Sequence, residues 1–324
     1  MTERIRIGIS SCLLGNKVRH DGGHKFDSYI VNVLGRYLDF VPVCPEVECG
    51  LPTPREPMRL AGDVHSPRLM TSKTWQDKTE QMQTWADSKV RELEGQGLCG
   101  FIFKRGSPSS GMERVKVYPF TDPREVKNVG APVLKGSGLF ARTFMEHFPL
   151  LPVEEEGRLN DPVLRENFIE RLFVVRRWYD LLESGMAPGA VVEFHTRHKL
   201  LLLAHSTQKY REMGRLVAAV REYSPEQFRT EYRRLLMEAL SVRATAGRHA
   251  NVQQHIMGYF RRQLTTDEKQ ELVEIIDRYR NGLVPLIVPV TMLNHYVRKY
   301  GDEYLAGQYY LNPHPVELKL RNHI

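Results

Sequence analysis

The sequence predicts an α/β domain built on a Rossmann-like open parallel sheet, followed by an all-α helical domain. Three observations lead there. Short apolar strands alternate with amphipathic helices in the first half, each early strand runs into a polar, glycine-rich segment, and helical periodicity alone continues from about residue 158.

Taken in order, 5–10 (IRIGIS), 39–43 (DFVPV) and 100–104 (GFIFK) read as buried strands. Between them, 27–38 and 75–94 carry helical spacing, the second stopping at Gly95 and Gly97. A strand–helix–strand–helix–strand run implies a parallel sheet with right-handed crossovers. Residues 115–118 and 151–155 add strands, with a helix over 138–147 between them. The pattern changes at 157–162 (GRLNDP), so the domains are set at 1–157 and 158–324. Helices follow at 166–184, 191–205, 208–223, 225–240, 250–263, 266–281 and 289–300. Ser224 before Pro225, and Thr265 with Glu268 three residues on, supply N-cap signals.

In an open parallel sheet, ligands gather beyond the carboxyl ends of the strands. That rule brings together 11–15 (SCLLG) with 18–25 (VRHDGGHK), 44–55 (CPEVECGLPTPR) and 105–111 (RGSPSSG). Cys12, Cys44 and Cys49 fall just past predicted strand ends, whereas Cys99 sits at the start of a strand and reads as a packing residue. Three soft thiols at one crevice suit a metal or cluster that keeps an open position, and ordinary packing is the alternative. His20 and His24 could ligate or bind phosphate. Glu46 would hang beside such a metal as a general base, or else pair with Arg55 or Arg59. Lys104 and Arg105 favour an anionic or electron-rich substrate.

Composition bounds the rest. At 324 residues and 37.5 kDa the chain is long enough for two domains, with 41% hydrophobic and 26% charged residues. No apolar run approaches the ~18 residues of a membrane span, and the opening MTERIRIGIS has no signal-peptide core, so a cytoplasmic protein without membrane association is expected. In that compartment four cysteines read as ligands, nucleophiles or packing residues before disulfides. The net charge of +7 is concentrated: residues 195–265 carry thirteen Lys and Arg against five Asp and Glu. Such a surface gives salt-dependent affinity for RNA, a solvated helix face being the alternative. His195 and His198 share a helix face, a spacing better suited to core hydrogen bonding than to a metal pair.

With these motifs in view, the sequence resembles a known family. The segments 12–15 (CLLG), 19–25 (RHDGGHK), 44–46 (CPE), 50–55 (GLPTPR) and 107–111 (SPSSG) are similar to those of the thiouracil desulfidases, over roughly residues 5–155. The second half looks like the helical domain often fused to them, through 194–199 (FHTRHK) and 249–255 (HANVQQH). Together they resemble the bacterial RNA 4-thiouridine desulfidases.

The resemblance implies a 4Fe-4S cluster held by three cysteines with one open iron, which takes sulfur from 4-thiouridine in RNA, tRNA foremost, or from its nucleoside. Free thiouracil as substrate, and an RNA-binding protein with a structural metal, are the other readings. One position departs from the pattern: the single-domain relatives end the third loop Ser-Pro-Ser-Cys-Gly and draw a ligand from it, where this sequence has Ser110. Cys49 is an additional thiol, so the implied ligand set is Cys12, Cys44 and Cys49. Glu46 would activate water, Ser109 and Ser110 would assist at the reacting centre, and Arg19, Asp21 and Lys104 would bind substrate.

Overall fold

The computed structural model describes residues 4–119 and 130–323. The chain forms two compact units, Met1–Asp161 and Pro162–Ile324.

The first unit opens with β1 (Ile5–Ser10) and a short 3-10 turn over Ser11–Leu14. The predicted helix at 27–38 is instead an irregular turn, π-like over Tyr29–Val33 and 3-10 over Leu34–Arg36. Its β-branched and glycine content (Ile30, Val31, Val33, Gly35) makes a poor regular helix. Next come β2 (Leu38–Val43), the single turn α1 (Pro45–Glu48), β3 (Met58–Gly62) and β4 (Pro67–Thr71). They are followed by α2 (Thr79–Glu94), β5 (Phe101–Phe103), β6 (Val115–Tyr118), β7 (Val133–Gly136), α3 (Leu139–His147) and β8 (Val153–Glu155).

The main sheet is all parallel, in the order β2-β1-β5-β8. After β1 the chain steps to one side for β2 and then to the other for β5, so β1 borders a topological switch point, where such sheets open a crevice. Gly8 of β1 permits that close pairing: a Cβ there would lie 2.2 Å from the Phe101 ring. Phe101, Phe103, Phe140 and Phe144 are fully buried and pack ring against ring between β5 and α3.

A second four-stranded sheet, β4-β3-β6-β7, mixes antiparallel and parallel pairs. Of its strands, periodicity pointed only to β6. The short runs of β3, β4 and β7 contain Arg59, Arg68 and Lys135, which break the apolar signal.

The second unit is helical throughout its described residues: α4 (Pro162–Glu183), α5 (Pro188–His205), α6 (Thr207–Ala218), α7 (Pro225–Ser241), α8 (Ala246–Tyr259), α9 (Thr266–Arg280), α10 (Ile287–Tyr300) and α11 (Glu303–Ala306). Ser224 and Thr265 each close a full capping box, with Gln227 and Glu268. Trp178 and Tyr232 stack at 5.3 Å inside the bundle, with Phe194 edge-on to both. Among the described residues, no helix is long and apolar enough to cross a membrane.

Candidate functional site

The loops after β1, β2 and β5 enclose a cavity of about 400 Å³ beyond the carboxyl ends of those strands. Cys12, Cys44, Glu46, Arg19, Lys104 and Ser110 all line it. Lys25, Arg55 and Arg105 add further positive charge to its wall.

The stretch between Cys44 and Cys49 folds as one helical turn because Pro45 suits the first helical position and the Glu48 carboxylate returns to the Cys44 N–H at 2.7 Å. That turn separates the two thiols. Five steps at 3.6 residues per turn put them about 140° apart around the axis. Cys44 faces the cavity, while Cys49 packs against the core around Leu60, Met82 and Val117, its Sγ 3.3 Å from the Glu46 carbonyl.

Glu46 projects from the same turn toward the third loop. Its Oε1 accepts a 2.5 Å hydrogen bond from Ser109 Oγ, and its Oε2 lies 3.6 Å from Cys44 Sγ and 3.8 Å from an Arg55 guanidinium nitrogen. Ser109 is fully buried and stands behind the cavity wall; Ser110 is on the wall. Ser107 Oγ organises the loop by accepting the N–H groups of Ser109 and Ser110.

The loop then docks on the start of α3, whose unpaired N–H groups take up its carbonyls: Leu139 N–H donates to Pro108 O and Ala141 N–H to Ser109 O. Gly138 makes this approach possible, since a Cβ there would lie 2.4 Å from the Ser109 backbone.

Arg55 is more deeply engaged than a surface ion pair. Its side chain is only 8% exposed and donates to Val18 O at 3.0 Å, tying the first loop to the segment after α1. Its Nε is buried without a hydrogen-bond partner among the described residues. Lys104, expected from the sequence to bind substrate, lines the cavity; its ammonium pairs with Glu156 and its backbone N–H donates to Ser10 Oγ at 2.9 Å.

Asp21 and His24 are not part of the cavity wall. The Asp21 carboxylate accepts the Gly23 N–H at 2.9 Å and lies 3.6 Å from Arg19, so it shapes the first loop; its carboxyl is held below the usual range first by that backbone hydrogen bond. His24 Nδ1 accepts the Phe26 N–H. His20 does line the cavity, and Cys99 is fully buried.

Burial pushes the Cys12 thiol up to about 11 and the Cys44 thiol up to about 12, with the Glu46 charge adding to the rise at both. Both are protonated at neutral pH, so a metal bound by them must displace two protons.

A cluster held by Cys12, Cys44 and Cys49 does not fit this donor set. Two thiols reach the cavity, Ser110 supplies a hydroxyl, and half-buried Cys49 lies off the cavity wall, packed against the core around Leu60 and Met82. Among the described residues no group of three His, Cys, Asp or Glu side chains is arranged to hold a metal ion.

Residues 7–156 match the family model described as "2-thiouracil desulfurase", and residues 199–315 match one described as "protein of unknown function (DUF1722)". The first unit is thus a 2-thiouracil desulfurase domain carrying its cavity at the ends of a parallel sheet. Through its helical part the chain belongs to the family of the Escherichia coli (strain K12) protein named "Uncharacterized protein YbgA". The two are 36% identical over 153 residues, which is 47% of this chain and 90% of that protein. A solved structure titled [4Fe-4S]-dependent thiouracil desulfidase TudS is 28% identical, with a TM-score of 0.37, covering 49% of this chain and 95% of that one.

Proposed function

We propose that the first unit removes sulfur from a thiolated pyrimidine at the cavity described above, and that its substrate is 4-thiouridine in RNA. The observation that carries this reading is the placement of Glu46: a carboxylate fixed by Ser109 and flanked by Arg55, on the wall of a cationic cavity, in a 2-thiouracil desulfurase domain.

The reaction needs a water made nucleophilic and a sulfur atom made able to leave. Glu46 takes a proton from water as its oxygen adds to the thiocarbonyl carbon, and the negative charge grows on sulfur. Lys104 and Arg19 face that charge within a confined site, where fixed charges act more strongly than in bulk water. When the C–S bond breaks, the proton held by Glu46 passes to the departing sulfur, and the added hydroxyl gives up its own proton through water to that sulfur as the C=O bond forms, giving uridine and hydrogen sulfide without net redox change. No step here passes through an iron-sulfur cluster, because the thiols present do not complete its ligand set.

RNA as the partner rests on charge. Lys209 and Arg234 are consumed by Glu212, Glu231 and Glu238. Arg211 and Arg215 stand exposed one turn apart on α6, a pair suited to phosphates.

Turnover of 4-thiouridine in tRNA, the free nucleoside and free thiouracil, measured as sulfide release, tests the proposal. It requires the RNA substrate to be preferred. Equal rates on all three would leave the desulfidase reading and remove RNA, whereas no sulfide from any would remove both.

A further inference from the structure

The helical unit contains a second cavity, of about 250 Å³, bounded by α4, the end of α5, the start of α8, the end of α9 and the segment around Leu286. It is smaller than the ~300–1,000 Å³ pockets of drug-sized ligands, so it suits one small molecule. Its inner wall is unusual for a helical bundle. The Glu170 carboxylate, 3% exposed, bonds His205 Nε2 at 2.7 Å and lies 3.4 Å from Arg321, which also bonds Glu166 at 3.1 Å. These charges satisfy one another and form a rigid floor.

Two features face this cavity without a protein partner among the described residues, and both point to a ligand. His249 is 8% exposed, and its Nδ1 lies 3.2 Å from the Tyr310 hydroxyl. That hydroxyl also lies 3.4 Å from the His249 carbonyl; when it donates there, Nδ1 carries the proton and Nε2 is an acceptor, to which no hydrogen bond is made among the described residues. The Tyr279 ring stands edge-on to His249 at 6.1 Å. At the cavity wall, Arg243 and Arg280 are exposed, and neither guanidinium makes a hydrogen bond or ion pair among the described residues. The arrangement is polar at depth, aromatic beside it and doubly cationic outside.

We propose that this cavity binds a pyrimidine nucleotide, its phosphate on Arg243 and Arg280 and a ring N–H on His249 Nε2. Guanidinium pairs recognise phosphate oxygens through charge-assisted hydrogen bonds, and an acceptor facing a confined cavity selects a ligand that carries a donor. A single-ring base supplies that donor and fits the volume. The nucleotide comes either free or as one unit of an RNA strand. The site stands apart from the desulfidase reading and survives or fails on its own.

The test is calorimetric titration of the full chain with uridine monophosphate, uridine, inorganic phosphate and a short uridine oligonucleotide. Uridine monophosphate binds, and uridine binds about tenfold or more weakly. The exposed pair Arg243→Gln and Arg280→Gln lowers uridine monophosphate affinity to that of uridine, and His249→Gln weakens both ligands. An Arg19→Gln, Lys104→Gln variant, altered only in the first domain, leaves this binding unchanged. An oligonucleotide bound tenfold more tightly than the monophosphate identifies RNA as the source, and equal affinity identifies the free nucleotide. The proposal is overturned if the monophosphate does not bind, if the arginine pair can be changed without effect, if inorganic phosphate binds equally well, or if only the first-domain variant abolishes binding.

Discussion

Ser109 Oγ donates a 2.5 Å hydrogen bond to Glu46 Oε1, joining residues 63 apart in sequence at the wall of the first cavity. This bond orients a carboxylate whose other oxygen lies near Cys44 Sγ and the Arg55 guanidinium. Ser109→Ala should therefore lower kcat by roughly ten- to a hundredfold while leaving KM nearly unchanged, since the lost donor aims the base and does not touch substrate. Steady-state sulfide release at several substrate concentrations separates the two constants. A matched rise in KM would mean that Ser109 contacts substrate directly.

Gly138 holds the same loop from behind. In Gly138→Ala the new Cβ would meet the Ser109 backbone at 2.4 Å, so the loop must shift and the bond to Glu46 must lengthen. Activity should fall at least as far as in Ser109→Ala, with a destabilisation of about 1–3 kcal/mol by the usual cost of overpacking. Thermal melts and turnover on one preparation check both.

The thiols divide by geometry. Cys44→Ser and Cys12→Ser should each lower iron bound after anaerobic reconstitution, whereas Cys49→Ser should leave iron content unchanged and cost only the packing of a thiol against Leu60 and Met82. Ser110→Cys would put a third thiol on the cavity wall and should raise iron content above that of the unaltered chain. Iron and sulfide analysis of the four variants decides it, and loss of iron in Cys49→Ser would restore Cys49 as a ligand.

For the helical unit, replacing Arg211 and Arg215 with Gln should weaken tRNA binding and flatten its salt dependence, without slowing turnover of a free nucleoside. Filter binding at several salt concentrations measures the slope. Arg234 is the wrong target: its guanidinium is already engaged by Glu231 and Glu238.

The buried Glu170–His205 pair sets a pH window. Burial alone would raise the Glu170 pKa, but the charge and hydrogen bond of His205 outweigh it and hold the carboxyl down at about 2. Its stabilisation is present above the ordinary carboxyl value and lost as pH falls toward 2. Burial alone would lower the His205 pKa, but Glu170 raises it, so that contribution is complete below 6.5 and lost as pH rises through the folded value. The Tm should therefore decline on both sides, and His205→Gln should abolish the alkaline part of the decline.

Much of this was legible in the chain. Parallel strands followed by SCLLG, CPEVEC and RGSPSSG located the cavity, because ligands collect beyond strand ends whatever the family. The mixed sheet was not legible, since β3 and β4 carry charged residues and pair through contacts remote in sequence. The helical turn between Cys44 and Cys49 was not legible either, because the segment reads as a loop. Pro45 and Glu48 make the stretch a helical turn, which puts Cys44 and Cys49 about 140° apart around its axis. Asp21 accepts the Gly23 N–H and shapes the first loop, a role that its loop sequence alone did not show.

The most direct test of the central claim is to incubate the anaerobically prepared chain with tRNA containing 4-thiouridine while following the near-ultraviolet absorbance of the thiocarbonyl, in parallel with Glu46→Gln. The account predicts loss of the band with sulfide released by the unaltered chain and no loss with Glu46→Gln. Persistence of the band in both, or equal loss in both, would contradict it.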